Sequence, residues 1–289
     1  MHSKRLLAYA LLSPSLAIVT LLIVYPFFNG IWLSLHTKHL LRPGMHFVGL
    51  KNFVYLFRND QYWMDFWNTV LWTAGSVALQ HLVALPIALL LNQKIKFRFL
   101  FRGIFLIPWV CPVVVFALLW QWLYNDLYGV INYLLITMGV IDTPIIWLGS
   151  KNTAMISAIV ANTWKGFSFP MIAMLAQLQM IPSELYEAAG IDGASKWQQF
   201  VHITLPYLKA PTVITTLIVS IWTFNNFGTM YLLTGGGPVK ATETLSILAY
   251  LTSFSELRLG RGAAITVTMM FVLLVISLIY LNRAKIEEE

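Results

Sequence analysis

Long stretches of this chain carry no charged side chain. Residues 6–35, 66–93, 103–125, 210–239 and 262–282 contain no Asp, Glu, Lys or Arg, and 153–179 is interrupted only by Lys165. A helix needs about 20 apolar residues to cross a bilayer, and charge inside hydrocarbon is costly. The pattern therefore predicts six membrane helices, with cores at 8–28, 69–91, 103–124, 153–178, 211–233 and 262–281. The apolar run 127–141 is too short to cross and carries Gly129, Asn132 and Gly139, so it reads as an interfacial or loop helix. The expected fold class is all-α, a polytopic membrane protein with one transmembrane domain over 1–289.

Composition agrees. The chain is 58% hydrophobic and 11% charged, with mean hydropathy +0.71. Soluble domains run nearer about 45–50% apolar and 25% charged. The single cysteine, Cys111, excludes an internal disulfide and a Cys-rich metal site. The six histidines form no HExxH-type cluster. The formal charge of +7 points to anionic lipid headgroups before nucleic acid, for which no motif is present. Lys4 and Arg5 ahead of an apolar run resemble the start of a signal peptide. The run is longer than a signal core and no small-x-small site follows, so an uncleaved first helix is expected.

Basic residues near span ends set orientation. Lys4 and Arg5, then Lys94, Lys96, Arg98 and Arg102, then Arg283 and Lys285 all fall on one side of a six-span chain. That side is read as cytoplasmic, and with it both termini and the block 183–206. The opposite side holds Lys38, Arg42, Lys51, Arg58, Lys151, Lys240, Arg258 and Arg261, so the raw bias is weak. The dense short loop and the flank of the first helix decide it.

The block "EAAGIDGASKWQQFVHITLP" is polar between two apolar spans. Ser183 is placed to cap a short helix through Ala189, with Glu184 near its positive end. Gly190 and Gly193 are expected to interrupt that helix. Ser195 and Gln198 form a capping-box pattern for a second one. Trp197, Phe200 and Val201 give it an apolar face, expected to anchor against the chain's own helices. Pro206 is expected to stop it or to start the next span. Pattern alone fits an inert amphipathic loop equally well.

The spacing is more specific. Glu187-Ala188-Ala189, three residues, Gly193, nine residues, Ile203-x-Leu205-Pro206 resembles the EAA signature of the membrane subunits of bacterial ABC importers. The longer string "YEAAGIDGASKWQQFVHITLP" is similar to the sugar-importer branch related to the maltose and glycerol-3-phosphate permeases. "FVGLKNFVYLF" (47–57), "LYGVIN" (127–132) and "LLTGGGP" (232–238) resemble loops of those permeases, in the same order.

The resemblance implies an ABC type I importer architecture in the bacterial cytoplasmic (inner) membrane. It implies that Glu187, Ala188, Ala189, Gly193, Ile203, Leu205 and Pro206 couple the chain to a separate ATPase. Small alanines allow close approach there, and Glu187 can pair with a basic group. The chain lacks GxxxxGK[ST] and is expected to be no enzyme, with ATP and magnesium bound by the partner. Expected partners are a second homologous permease, two ATPase copies, an extracytoplasmic solute-binding protein, lipid and a sugar. The chain itself is expected to bind no cofactor, metal or nucleic acid. A non-sugar cargo (polyamine, phosphonate or peptide) and a stand-alone secondary carrier are the alternatives.

Polar groups inside the spans are cargo candidates. Trp222, Asn225, Asn226 and Thr229 sit at i, i+3, i+4 and i+7, one face of a continuous helix. Asn162, Trp164 and Lys165 precede Gly166 and Pro170, which can loosen the fourth span. Sugar hydroxyls need amide-type partners, and sugar C–H faces stack on aromatic rings. The same residue types also serve as interhelical bonds and interfacial anchors. Gly235, Gly236, Gly237 and Pro238 form a turn on the outer side. Its resemblance implies contact with the binding protein or the pathway mouth.

Overall fold

The computed structural model describes residues 2–286, with side chains described for 11–280 and 282. The side chains of Lys4, Arg5, Arg283 and Lys285, used above for orientation, lie outside the described residues. In chain order, α1 (His2–Val19) continues through a π turn (Thr20–Val24) into α2 (Tyr25–Ser34). A hairpin of β1 (His36–Lys38) and β2 (Met45–Phe47) follows, then α3 (Lys51–Phe57) and the long α4 (Asp60–Asn92). Next come α5 (Arg98–Val110), α6 (Val113–Leu123), α7 (Val130–Thr137), α8 (Ala154–Gly166) and α9 (Ser168–Leu178). The polar block holds α10 (Ser183–Ile191), α11 (Lys196–Gln199) and a π turn (Phe200–Thr204), leading into α12 (Leu205–Phe224). The chain ends with α13 (Phe227–Thr234), α14 (Leu245–Tyr250), a third π turn (Leu251–Ser255) and α15 (Leu259–Ile286).

Among the described residues, four helices are long and apolar enough to cross a membrane alone: Leu11–Ser34, Asp60–Asn92, Lys196–Phe224 and Leu259–Tyr280. Counting α5 and α6 together as one broken span gives five. Three of the expected spans are therefore not single rods. The third bends by 95° between α5 and α6. The fourth divides at Phe167 into α8 and α9. The fifth stops at Phe224 rather than running to 233. The short apolar run after 127 does form a brief helix, α7.

The chain packs as two units. The first takes the chain up to Met64 together with Leu245–Leu273. Within it Leu11–Ser34 buries none of its apolar window, as suits a helix solvated by hydrocarbon. The hairpin pairs His36 with Phe47 and Lys38 with Met45. The "FVGLKNF" stretch builds this corner. Asn52 in α3 donates to the carbonyls of Ser34 (2.8 Å) and His36 (3.0 Å). Gly260 at the head of α15 passes so close to the His36 carbonyl that any Cβ there would collide with it. These strands add a short β element to an otherwise helical fold.

The second unit takes Asp65–Thr244 and the chain from Leu274. Its apolar centre joins Ala84, Ala88 and Leu91 of α4 to Met171, Met174, Leu175 and Leu178 of α9 and Leu208 of α12. The two alanines lie one turn apart and let neighbouring backbones approach, the usual way helices pack in lipid. Helix α9 packs along α12.

Candidate substrate cavity and coupling segment

Three helix breaks in the second unit meet at one cavity. Pro108 and Pro112 bracket the first: the residue before a proline is driven to extended geometry, and Cys111 takes φ −60°, ψ 124°. The second break is at Phe167, and the third at Asn225 and Asn226. The cavity, about 120 Å³, is lined by Trp109, Lys165, Gly166, Phe169, Trp222, Thr223 and Asn226 beside these breaks, with Gln80, Asn162 and Val219. It is smaller than the roughly 300–1,000 Å³ of typical ligand pockets.

Three of the freed backbone ends find side-chain partners. The Lys165 ammonium donates to the Cys111 carbonyl at the end of α5. A cation there also suits the negative end of the helix dipole. Trp72 Nε1 donates to the Thr223 carbonyl (3.0 Å) at the end of α12. Asn226 Oδ1 accepts from the Thr229 N–H (3.0 Å) and so caps α13. Gly166 faces the Gln80 amide so closely that a Cβ would strike it.

Three aromatic rings (Trp109, Phe169 and Trp222) and three amides (Gln80, Asn162 and Asn226) share the lining. The Phe169 ring lies 4.9 Å from Trp222 and 6.2 Å from Trp109 between centroids. Gln80 Oε1 and Asn162 Nδ2 are buried with no hydrogen-bond partner, an unsatisfied acceptor and donor at the same cavity. Buried polar atoms are rarely left so. A polyhydroxylated ligand could serve both.

The expected single face of Trp222, Asn225, Asn226 and Thr229 does not exist, because the helix ends between them. Trp222 and Asn226 reach the cavity. Asn225 is an exposed C-cap whose Nδ2 donates back to the Ile221 carbonyl (2.9 Å). Thr229 is buried inside the fold. Asn162 and Lys165 line the cavity, whereas Trp164 stacks on Phe116 at 6.3 Å and packs beside Trp120. Gln80, a polar residue within the second span, also lines the cavity, and Phe169 completes it without having stood among the candidates. Phe169 is one turn beyond Lys165, the signal that could have found it.

The polar block joins α9 directly to α12. Pro182 is the N-cap of α10, one residue before the expected Ser183, and Gly190 lies within the helix rather than interrupting it. Gly193 carries the turn at φ +79°, a geometry that glycine adopts without strain. Ser195 and Gln198 make the full capping box. Gln199, buried, donates to the carbonyls of Tyr186 and Ala194 (both 3.4 Å), and the Tyr186 hydroxyl bonds Thr204 Oγ1 (2.9 Å). These bonds lock the two short helices together.

The signature residues divide by exposure. Glu187, Ala188 and Gly193 are exposed and Ala189 is half-buried, while Ile203 packs on the apolar centre. Leu205 and Pro206 line an apolar groove between α4 and α12. Trp197, expected to anchor inward, is 71% exposed, and Ile191 is 87% exposed. Pro206 lies in the first turn of α12, as expected of a proline that starts a span, and the apolar helix Lys196–Phe224 runs on through it. The π turn absorbs the proline, with the Leu205 N–H reaching back to the Phe200 carbonyl.

The glycine turn is more closed than its composition suggests. Gly235 ends α13 at φ +63° and Gly236 follows at +88°. Gly236 is buried, and Thr242 Oγ1 donates to the Gly237 carbonyl (2.6 Å). Asn68 from α4 donates to the carbonyls of Lys240 and Glu243 (3.1 and 2.9 Å). The exposed residues of this turn are Gly235, Val239 and Lys240.

The profile of the binding-protein-dependent transport system inner membrane component family matches residues 80–284. The chain belongs to that family. The permease is thus a multi-pass component of the inner membrane. It is 36% identical over 281 residues to the trehalose/maltose transport system permease protein MalF of Thermococcus litoralis, covering 97% of this chain and 94% of that one. It is 36% identical over 280 residues to the sulfoquinovosyl glycerol transport system permease protein SmoG of Agrobacterium fabrum, covering 96% and 90%. Its fold matches a chain of the bacterial alginate ABC transporter, crystallised with an alginate pentasaccharide-bound periplasmic protein. That TM-score is 0.82 at 23% identity, over 96% of this chain and 93% of that one. The family match takes in the cavity and the coupling segment alike, since Gln80 is its first residue.

Proposed function

We propose that the permease is one half of the membrane pathway of an ATP-driven carbohydrate importer, with six spans and both termini in the cytoplasm. One observation carries the reading. The segment with the EAA spacing is the direct covalent link between two cavity walls, Phe169 on α9 and Trp222 on α12. A load applied to α10 therefore acts on both.

The partner ATPase docks on the exposed face at Glu187, Ala188, Ala189 and Gly193. Ile203, Leu205 and Pro206 transmit the motion. ATP and magnesium act on that partner, and closure of its dimer shifts the permease toward the outward-facing state. That shift is limited to the difference in ATP affinity between the two states. A second, homologous permease completes the pore and enlarges the cavity, two ATPase copies serve the pair, and an extracytoplasmic binding protein delivers cargo near Gly235, Gly236, Gly237 and Pro238.

The cargo is carbohydrate because the aromatic trio offers stacking faces and Gln80, Asn162 and Asn226 offer amides. The three relatives named above are associated by name or title with trehalose/maltose, sulfoquinovosyl glycerol and alginate. Lys165 and the lack of acidic lining residues speak against a polyamine. The test is uptake of a panel of labelled mono- to oligosaccharides into proteoliposomes holding the complete importer. Trp222→Ala should raise the half-saturating concentration of the transported sugar about tenfold, the worth of roughly 1.4 kcal/mol of lost contact. Equal kinetics for Trp222→Ala and wild type would sink the cavity assignment.

A further inference from the structure

Eight basic residues fall on the side of the chain expected to face outward. Six of them, Lys38, Arg42, Lys51, Arg58, Arg258 and Arg261, belong to the first unit, Lys151 and Lys240 being the other two. The structure draws part of this group into one pocket of about 430 Å³, between the hairpin, α3 and the head of α15. Lys38, His39 and His46 come from the hairpin, and Arg258 and Arg261 from the last helix and its approach.

No acidic side chain is among the residues that line it. Arg258 pairs with Glu256 at 3.9 Å, both side chains about half exposed. Such a pair is worth little. His39 is oriented as a donor: the Leu41 N–H donates to its Nδ1 (3.2 Å), which leaves Nε2 to carry the ring proton. Arg261 lies over the Tyr55 ring, its guanidinium carbon 3.7 Å from the centroid. Gathered cations without acids repel one another, and a bound anion relieves that repulsion through charge-assisted hydrogen bonds.

We propose that this pocket binds an oxyanion, a carboxylate, sulfonate or phosphate group, held by Lys38, Arg258 and Arg261 with His39 Nε2 as a further donor. The proposal does not rest on carbohydrate transport. The anion has two possible sources, an acidic sugar and a phospholipid headgroup.

The complete importer in phosphatidylcholine nanodiscs separates them. One arm measures binding of trigalacturonate against neutral maltotriose. The other replaces phosphatidylcholine stepwise with phosphatidylglycerol and counts retained lipid by native mass spectrometry. The wild type should retain at least one anionic probe over its neutral counterpart, and lose it as salt rises. Lys38→Gln with Arg258→Gln should weaken retention by at least tenfold, the scale of one charge-assisted bond. Lys38→Arg with Arg258→Lys should keep it. Preference for trigalacturonate alone assigns the pocket to an acidic sugar, and preference for phosphatidylglycerol alone to a lipid headgroup. Equal retention of anionic and neutral probes, or undiminished binding in the double glutamine variant, overturns the proposal. Should that variant fail to assemble, Arg258→Gln alone, at an exposed position, carries the comparison.

Discussion

The two ends of the helix that begins at Lys196 handle an interruption in opposite ways. At the coupling end, Pro206 removes a backbone donor, and the chain answers with a π turn that keeps the helix continuous. At the cavity end no proline is present, yet the helix stops at Phe224 and a new one starts at Phe227, after two intervening residues. The π turn keeps a backbone hydrogen bond running along the axis past the proline. A true break frees carbonyls and amides, which is tolerated at membrane depth where they are buried in protein or line a cavity. On the proposed function, the end assigned to coupling stays whole and the end assigned to cargo comes apart.

The sharpest way to break this contrast is to disable the load-bearing end without touching the other. Glu187 is exposed, on the outer face of a short helix. Glu187→Lys should therefore alter subunit stability by less than about 0.5 kcal/mol, as surface changes do. It should still abolish co-purification of the ATPase and reduce uptake by at least tenfold. Normal uptake with the ATPase retained would remove α10 from the coupling role.

The next test concerns the cavity end and the fit of α8 against α4. A methyl at Gly166 would strike the Gln80 amide, and overpacking of this kind costs about 1–3 kcal/mol. Gly166→Ala should lower the unfolding temperature of the purified permease and weaken uptake. Gln80 is the part able to yield, so Gln80→Ala should recover much of that stability in the double variant. A double-mutant cycle reads the coupling directly. Additive losses would mean that the two residues do not share the space.

The same contrast explains what could be read in the chain before its structure. The coupling segment was legible because its signals are local: Ser195 and Gln198 lie three residues apart and make the capping box within one turn. The charge-free stretches likewise marked which segments are apolar. The cavity was not legible at the same level, because hydropathy records which residues suit lipid and not whether a helix continues through them. Asn225 and Asn226 looked like two positions on one helical face. They are instead the last cap of one helix and the first cap of the next. Gln199 was hidden for a related reason, since its two bonds reach carbonyls 13 and five residues away that only the folded turn brings near.

Those adjacent asparagines give the smallest effect and the finest discrimination. In a continuous helix Asn225 and Asn226 would point only about 100° apart, and alanine at either would cost the permease a similar amount. In the broken helix they differ in kind. Asn226 holds the first turn of α13 through its bond to the Thr229 N–H and also lines the cavity. Losing such a cap costs about 1 kcal/mol. Asn225 is exposed and bonds only one turn back on its own helix, so its replacement should cost less than about 0.5 kcal/mol. Asn226→Ala should thus lower the unfolding temperature and raise the half-saturating sugar concentration, while Asn225→Ala leaves both near wild type. Equal effects would restore the unbroken helix. A larger effect at Asn225 would put the cargo on the face that the break turns away.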